Sequence, residues 1–123
     1  MIKSIRILYV DDEQNLRQLI KEQLMGEGYN VDTADDGDTA SEKLKSEKYD
    51  LVLLDIRMPR MNGIEVLKFI KSKKLSCRII MLTAVDDLAI AMEAVKQGAN
   101  DYLTKPYELE TLLKSIRRVM NVA

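Results

Sequence analysis

The sequence predicts an α/β fold, (βα)5, in which five β-α units form a doubly wound parallel sheet with helices on both faces. Short apolar runs alternate five times along the chain with segments of helical periodicity. One run, residues 51–54, is continuously apolar, as in parallel strands that are buried on both faces. The intervening segments are long enough for the right-handed helical crossovers that join parallel strands.

In the first half of the chain, apolar runs and chain breakers predict three strands and two helices. Residues 5–10 form a β-branched run that stops at an acidic pair, and residues 29–34 form a second, half-polar strand. Residues 39–48 are charged with apolar residues on one face, which indicates a helix, and the third strand, residues 51–54, stops at Asp55. The first helix, which two glycines end, is indicated by apolar residues at helical spacing: Leu16, Leu19, Ile20 and Leu24.

The second half of the chain repeats this alternation after a loop that contains Pro59. Residues 78–83 predict a fourth strand, residues 89–97 a helix closed by a glycine, and residues 101–103 a short fifth strand. The helices on either side of this segment are indicated by two apolar sets: Ile64, Leu67 and Ile70, and then Leu109, Leu112, Leu113, Ile116 and Val119 or Met120.

Composition excludes several classes of function. A length of 123 residues predicts a single domain over residues 1–123. The chain has no histidine, which excludes an imidazole base or ligand, and its one cysteine, Cys77, excludes thiolate zinc sites and fits a reducing compartment. The net charge of −1 provides no basic field for nucleic acid, and no apolar run reaches the ~20 residues that cross a bilayer. We therefore expect a cytoplasmic domain that neither binds nucleic acid directly nor inserts into a membrane.

Polar residues end or follow four of the five predicted strands. They are Asp11 and Asp12, Asp55, Thr83 and Lys105. Ligands of open parallel sheets bind beyond the carboxyl ends of the strands, so these side chains are expected to meet. Clustered carboxylates repel one another, and a divalent cation with oxygen ligands relieves that repulsion. Lysine and threonine suit phosphoryl oxygens, and a carboxylate can act as a covalent nucleophile. The set predicts a site that places a phosphoryl group on an aspartate.

Taken singly, each of these residues also has an ordinary structural interpretation. The acidic pair and Thr83 could cap helices, Asp55 could be a turn residue, and Lys105 could be a solvated cation. Their joint occurrence at the strand ends of one β-α pattern favours the functional interpretation.

The motifs resemble those of response-regulator receiver domains of two-component and phosphorelay signalling, the CheY-like superfamily. The likeness covers nearly the whole chain and is strongest to stand-alone sporulation-relay receivers and nitrogen-regulator-type receivers. It implies a flavodoxin-like sheet with strand order 2-1-3-4-5 and a cis peptide before Pro106. The matching segments are VDDE at 10–13, LLDIRMP at 53–59, NG at 62–63, LTA at 82–84, GANDY at 98–102 and KP at 105–106.

The resemblance also implies how the site is used. Asp55 is expected to accept a phosphoryl group from a histidine kinase or a histidine phosphotransfer protein. Mg2+, with Mn2+ as a possible substitute, is expected to bind at Asp11, Asp12, Asp55 and the backbone carbonyl of Arg57. Lys105 is expected to pair with the phosphoryl group.

Signal output follows from the same resemblance. The Thr83 hydroxyl is expected to move toward the phosphoryl group while Tyr102 rotates inward. Both changes alter the face formed by the fourth helix, fifth strand and fifth helix, which passes the signal to a downstream effector or relay partner. The chain is expected to catalyse only its own slow phosphorylation and dephosphorylation and not to be an enzyme. Arg57, two residues after the acceptor, leaves the lifetime of the acylphosphate open.

Three other functions compete with this one. A Mg2+-dependent phosphatase that resembles the haloacid dehalogenases would also use an aspartate nucleophile, but that family has an acid where this chain has Arg57. A flavodoxin-like cofactor carrier needs a phosphate loop after the first strand, where Asp11 and Asp12 would repel the phosphate. A pseudo-receiver that only binds proteins would not need Asp55, Thr83 and Lys105 together.

Overall fold

The structure, a computed structural model, describes residues 4–122. Within this range the five predicted β-α units are confirmed. The strands are β1 (Arg6–Val10), β2 (Asn30–Ala34), β3 (Leu51–Asp55), β4 (Arg78–Thr83) and β5 (Asp101–Thr104). The helices are α1 (Gln14–Gly26), α2 (Gly37–Ser46), α3 (Gly63–Ser72), α4 (Leu88–Lys96) and α5 (Leu109–Met120), with a 3-10 turn at Val85–Asp87.

All four strand pairings are parallel, and the strand order is β2-β1-β3-β4-β5, as the resemblance implied. The winding reverses between β1 and β3, because the chain first moves outward to β2 and then crosses back to the other side of β1. In sheets of this kind the ligand crevice lies at that reversal, beyond the carboxyl ends of the strands.

Two apolar cores lie on opposite faces of the sheet. Leu8, Val10, Val52 and Leu54 face α2, α3 and α4, whereas the alternate residues of β1 and β3 face α1 and α5. Because both faces are covered, all five residues of β3 are buried, which explains the continuously apolar run in the sequence.

The structure corrects two details of the predicted helices. Leu19, one of the apolar residues that indicated α1, is 49% exposed, so Ile20 and Leu24 provide the fully buried contacts of this helix. Helix α2 begins at Gly37 rather than at residue 39, because the Asp36 side chain accepts a hydrogen bond from the Thr39 N–H at 2.8 Å.

The resemblance implied a cis peptide in the loop after β5, and the peptide bond between Lys105 and Pro106 is cis. Among the helices of residues 4–122, none is both long enough and apolar enough to span a bilayer.

Candidate functional site

Three carboxylates meet at the carboxyl edge of the sheet. Val10 pairs with Leu54 in the parallel register, so the residues that follow them, Asp11 and Asp55, lie side by side. Asp11, Asp12 and Asp55 each have a carboxylate oxygen within 4.8 Å of the other two. Asp11 and Asp55 are buried, and Asp12 is exposed. The cluster therefore combines two fixed carboxylates with one that solvent can reach.

Lys105 reaches this cluster from the end of β5. Its Nζ lies 2.8 Å from Asp11 Oδ2 and 3.3 Å from Asp55 Oδ2, so one ammonium group bridges two buried acids. The Lys105 N–H donates to the Thr83 carbonyl at 2.7 Å, which anchors its backbone to β4. Burial alone would lower the pKa of Lys105, but its contacts with Asp11 and Asp55 outweigh burial and raise that pKa.

The protonation of Asp55 reflects its surroundings. Burial is the largest influence, and together with the charges of Asp11 and Asp12 it outweighs the opposing effect of Lys105, which raises the pKa of Asp55 to about 6. At neutral pH the Asp55 carboxylate is therefore largely ionised, and the charges of Asp11 and Asp12 repel its negative charge. A cation or an electrophile that binds at this oxygen relieves that repulsion.

Asp11 is held by more donors than the sequence suggested. Tyr9 donates its hydroxyl to Asp11 Oδ2 at 3.1 Å, and the Glu13 N–H donates to Asp11 Oδ1 at 2.9 Å. The hydroxyl oxygens of Tyr9 and Tyr107 lie 2.8 Å apart. Burial raises the pKa of Tyr9 and raises that of Tyr107 to about 12, so both hydroxyls keep their protons at neutral pH.

Thr83 and Tyr102 occupy the neighbouring strands. Thr83 is fully buried at the end of β4, and its hydroxyl donates to the Ala84 carbonyl at 3.1 Å. Tyr102 lies on β5 opposite Met81 and packs, half-buried, against the core that faces α2, α3 and α4. Both residues stand where the sequence placed them, at the carboxyl end of β4 and on β5.

Arg57 forms an ion pair that the sequence did not indicate. Its Nε donates to Asp87 Oδ2 at 2.7 Å, and its Nη2 donates to Asp87 Oδ1 at 2.6 Å. The Arg57 side chain is 73% exposed, whereas that of Asp87 is 4% exposed. This two-pronged contact links the loop after β3 to the start of α4.

Gly63 lets that same loop return to the strand it leaves. Its N–H donates to the Ile56 carbonyl at 2.9 Å, and a Cβ at this position would lie 2.2 Å from the Asp55 carbonyl oxygen. The Asn62 side chain and Glu65 then form a capping box that begins α3. The NG pair in the sequence therefore combines a close backbone approach with a helix cap.

The donor set of this edge fits a small, hard divalent cation. It offers carboxylate oxygens within 4.8 Å of one another, and one of the three acids is open to solvent. Mg2+ binds through one or two carboxylates and retains several waters, which matches two buried acids beside an exposed one.

Comparison with known proteins identifies the family to which the chain belongs. The family model described as "Response regulator receiver domain" matches residues 7–117. The response regulator ArlR of Staphylococcus aureus is 40% identical over 115 residues, which are 94% of this chain and 52% of that protein. The chain spans about half the length of the curated relatives it matches.

Solved structures agree in fold. The Vibrio cholerae chemotaxis protein CheY4 is 34% identical with a TM-score of 0.88, over 95% of this chain and 99% of that one. The response regulator protein TrrA from Thermotoga maritima, in complex with Mg2+-BeF, is 40% identical with a TM-score of 0.83, over 94% of this chain and 98% of that one.

Proposed function

This chain belongs to the response regulator receiver domain family of two-component signalling, and from that premise we propose that Asp55 is its phosphoacceptor. One observation carries the proposal: Asp55 is a buried carboxylate at about pKa 6, with Lys105 Nζ 3.3 Å away and Asp11 and Asp12 beside it. A buried carboxylate that is ionised at neutral pH can act as a nucleophile toward an electrophilic phosphorus atom.

The proposed reaction transfers a phosphoryl group between side chains. An Asp55 carboxylate oxygen attacks the phosphorus atom of a phosphohistidine on the donor, whose other ring nitrogen carries a proton. The P–N bond breaks, its electrons stay on the histidine nitrogen, and neutral histidine leaves. The proposed donor is a histidine kinase or a histidine phosphotransfer protein, which fits the family, and this chain contains no histidine that could serve as an internal donor. Atoms and charge balance without a further reactant.

The cation and Lys105 have separate roles in this proposal. Asp11, Asp12, Asp55 and the Arg57 carbonyl would hold Mg2+, or Mn2+ in its place, and the ion supplies positive charge near the transferring oxygens. Lys105 already bridges Asp11 and Asp55, so it needs only a short movement to pair with the added phosphoryl charge. The structure of TrrA with Mg2+-BeF supports the choice of cation.

Output is proposed to run through Thr83 and Tyr102. A phosphoryl group on Asp55 offers the Thr83 hydroxyl a stronger acceptor than the Ala84 carbonyl. Inward rotation of Tyr102 on β5 would then change the face formed by α4, β5 and α5, which contacts a downstream effector or relay partner. Shifting a two-state equilibrium from 1:99 to 99:1 needs about 5.5 kcal/mol, so several such contacts must favour the same state.

We also propose the extent of the domain, its compartment and its lack of catalytic turnover. Residues 1–123 form one receiver domain that acts in the cytoplasm, a reducing compartment in which the free thiol of Cys77 stays reduced. It hydrolyses its own acylphosphate slowly and turns over no external substrate. A phosphatase of the haloacid dehalogenase type has no support here, because the residue two after Asp55 is Arg57, which pairs with Asp87.

The test is phosphorylation by a small donor. The protein is incubated with acetyl phosphate and Mg2+, and its intact mass is measured. We expect a single phosphoryl adduct that EDTA prevents and that is absent from Asp55→Asn. An unmodified wild-type mass, in a sample that binds beryllofluoride, would refute the proposal.

A further inference from the structure

We propose that the hydroxyls of Tyr9 and Tyr107, here called the tyrosine pair, position Asp11 for the divalent cation. The inference rests on the proposed phosphoacceptor site and assigns it two residues that do not touch the phosphoryl group. The pair lies on the α1–α5 side of the sheet, below the carboxylate cluster.

The direction of the hydrogen bonds follows from counting protons. The Asp11 carboxylate can only accept, so the one hydroxyl proton of Tyr9 lies in the hydrogen bond that Tyr9 donates to Asp11 Oδ2 at 3.1 Å. The contact of 2.8 Å between the hydroxyl oxygens of Tyr9 and Tyr107 then needs the Tyr107 proton. Tyr107 therefore donates to Tyr9, which donates to Asp11, and each bond polarises the next.

These bonds leave little freedom to Asp11. A carboxylate has about four lone-pair positions. Tyr9 and Lys105 fill the two on Oδ2, and the Glu13 N–H fills one on Oδ1. One position on Oδ1 remains for a cation or for a water that a cation holds, so Tyr9 helps to decide which oxygen of Asp11 is offered.

Packing makes the two hydroxyls rigid donors. Tyr9 is fully buried on β1, and its ring belongs to the core that faces α1 and α5. Tyr107 follows Lys105 by two residues and packs, half-buried, against the same core. Phenylalanine would fill both places without bringing polar atoms into the interior, so the hydroxyls need a compensating role, and their aim at Asp11 provides one.

The tyrosine pair also allows Lys105 to leave. Asp11 is fully buried, and an uncompensated buried carboxylate is costly. When Lys105 turns toward a phosphoryl group on Asp55, Asp11 Oδ2 keeps the Tyr9 donor and does not lose its last partner. Removal of the Tyr9 hydroxyl should therefore affect cation binding and the movement of Lys105 together.

The test measures Mg2+ affinity directly, by titration calorimetry of the unphosphorylated protein. Loss of a group that orients a metal ligand typically weakens binding roughly 10–100-fold, and we expect a loss of this size for Tyr9→Phe. Tyr107→Phe should cause a smaller loss, and adding it to Tyr9→Phe should change little, because Tyr107 acts through Tyr9. The matched control is Tyr49→Phe, which removes the hydroxyl of another buried tyrosine and its partly buried hydrogen bond of 2.7 Å to Asp32, outside the site.

Each outcome decides the inference. A normal Mg2+ affinity in Tyr9→Phe would overturn it, and so would an equal loss in Tyr49→Phe, because a general loss of order would then explain both. If Tyr9→Phe does not fold by circular dichroism, Tyr107→Phe decides, and a wild-type affinity there overturns the inference. A wild-type protein that binds no Mg2+ would instead count against the proposed function.

Discussion

The surroundings of Asp55 lower the stability of the folded chain at neutral pH. Burial and the neighbouring acids raise its pKa to about 6 in the folded chain, above the ordinary value of 3.8. A raised pKa in an acid means that the folded state binds the proton more tightly than the unfolded state. The folded state is therefore favoured below the ordinary pKa, and this contribution is lost as the pH rises through about 6.

Asp55→Asn should accordingly stabilise the metal-free protein at neutral pH. The shift corresponds to about 1–3 kcal/mol in the free energy of unfolding at pH 7, with the lower values favoured by solvent screening. Urea unfolding in EDTA at pH 7 and at pH 4 measures this, and the gain should shrink at pH 4. A variant that is less stable than wild type at pH 7 would contradict the prediction.

At the scale of elements, the loop between β3 and α3 connects Asp55, the proposed phosphoacceptor, to the rest of the domain. It leaves the sheet at Asp55, pairs through Arg57 with Asp87 at the start of α4, and returns at Gly63. The loop therefore joins the carboxyl end of β3 to α3 and α4 through backbone and ion-pair contacts.

Gly63→Ala tests the close approach of this loop. The added Cβ would lie 2.2 Å from the Asp55 carbonyl oxygen, which is backbone, so the loop must shift. We expect a loss of about 1–3 kcal/mol in stability together with slower phosphorylation. Gly26→Ala is the matched control, since a Cβ there meets no atom within 4 Å; its stability should be unchanged or raised. Equal effects of the two variants on phosphorylation would contradict the prediction.

Asp87→Asn tests the link to α4. The substitution keeps the shape of the side chain but removes the charge that pairs with Arg57. We expect faster amide hydrogen exchange in the 3-10 turn and the first turn of α4, because this segment loses its tie to the loop. The control is Asp86→Asn, in the exposed position next to it. Unchanged exchange in Asp87→Asn, or the same increase in both variants, would show that the ion pair does not hold the segment.

At the scale of the whole molecule, we propose that the carboxyl edge of the sheet receives the phosphoryl group and that the face formed by α4, β5 and α5 reports it. Thr83 lies between these two regions. Its hydroxyl donates to the Ala84 carbonyl and, in the proposal, donates instead to a phosphoryl group on Asp55, while its carbonyl accepts the Lys105 N–H at 2.7 Å. Phosphorylation and output are therefore separable in principle.

Thr83→Ala should separate them. We expect Asp55 to be phosphorylated as in wild type, while the amide chemical shifts of α4, β5 and α5 change much less on phosphorylation. Thr33→Ala, on the outer strand β2, is the matched control and should respond as wild type does. Equal shift changes in wild type and Thr83→Ala would contradict a switching role for this hydroxyl.

Much of this arrangement could be predicted from the sequence, for a physical reason. Strand periodicity places Asp11, Asp55 and Thr83 at strand ends, and parallel strands bring their carboxyl ends to one edge. The contacts that sequence reasoning missed join residues far apart in the chain. Tyr9 and Tyr107 are 98 positions apart, and Arg57 and Asp87 are 30 apart, so no local pattern indicates either pair. Leu19 fitted the helical spacing, but it lies on the solvent side of the apolar face of α1.

The most direct test of the central claim identifies the residue that carries the phosphoryl group. The protein is phosphorylated with acetyl phosphate and Mg2+, and the acylphosphate is reduced with borohydride, which converts a phosphoaspartate to homoserine. Peptide mass mapping then locates the reduced residue. We predict homoserine at position 55 alone. Homoserine at position 11 or 12, or no reduced residue in a sample that has gained the phosphoryl mass, would contradict the assignment of Asp55.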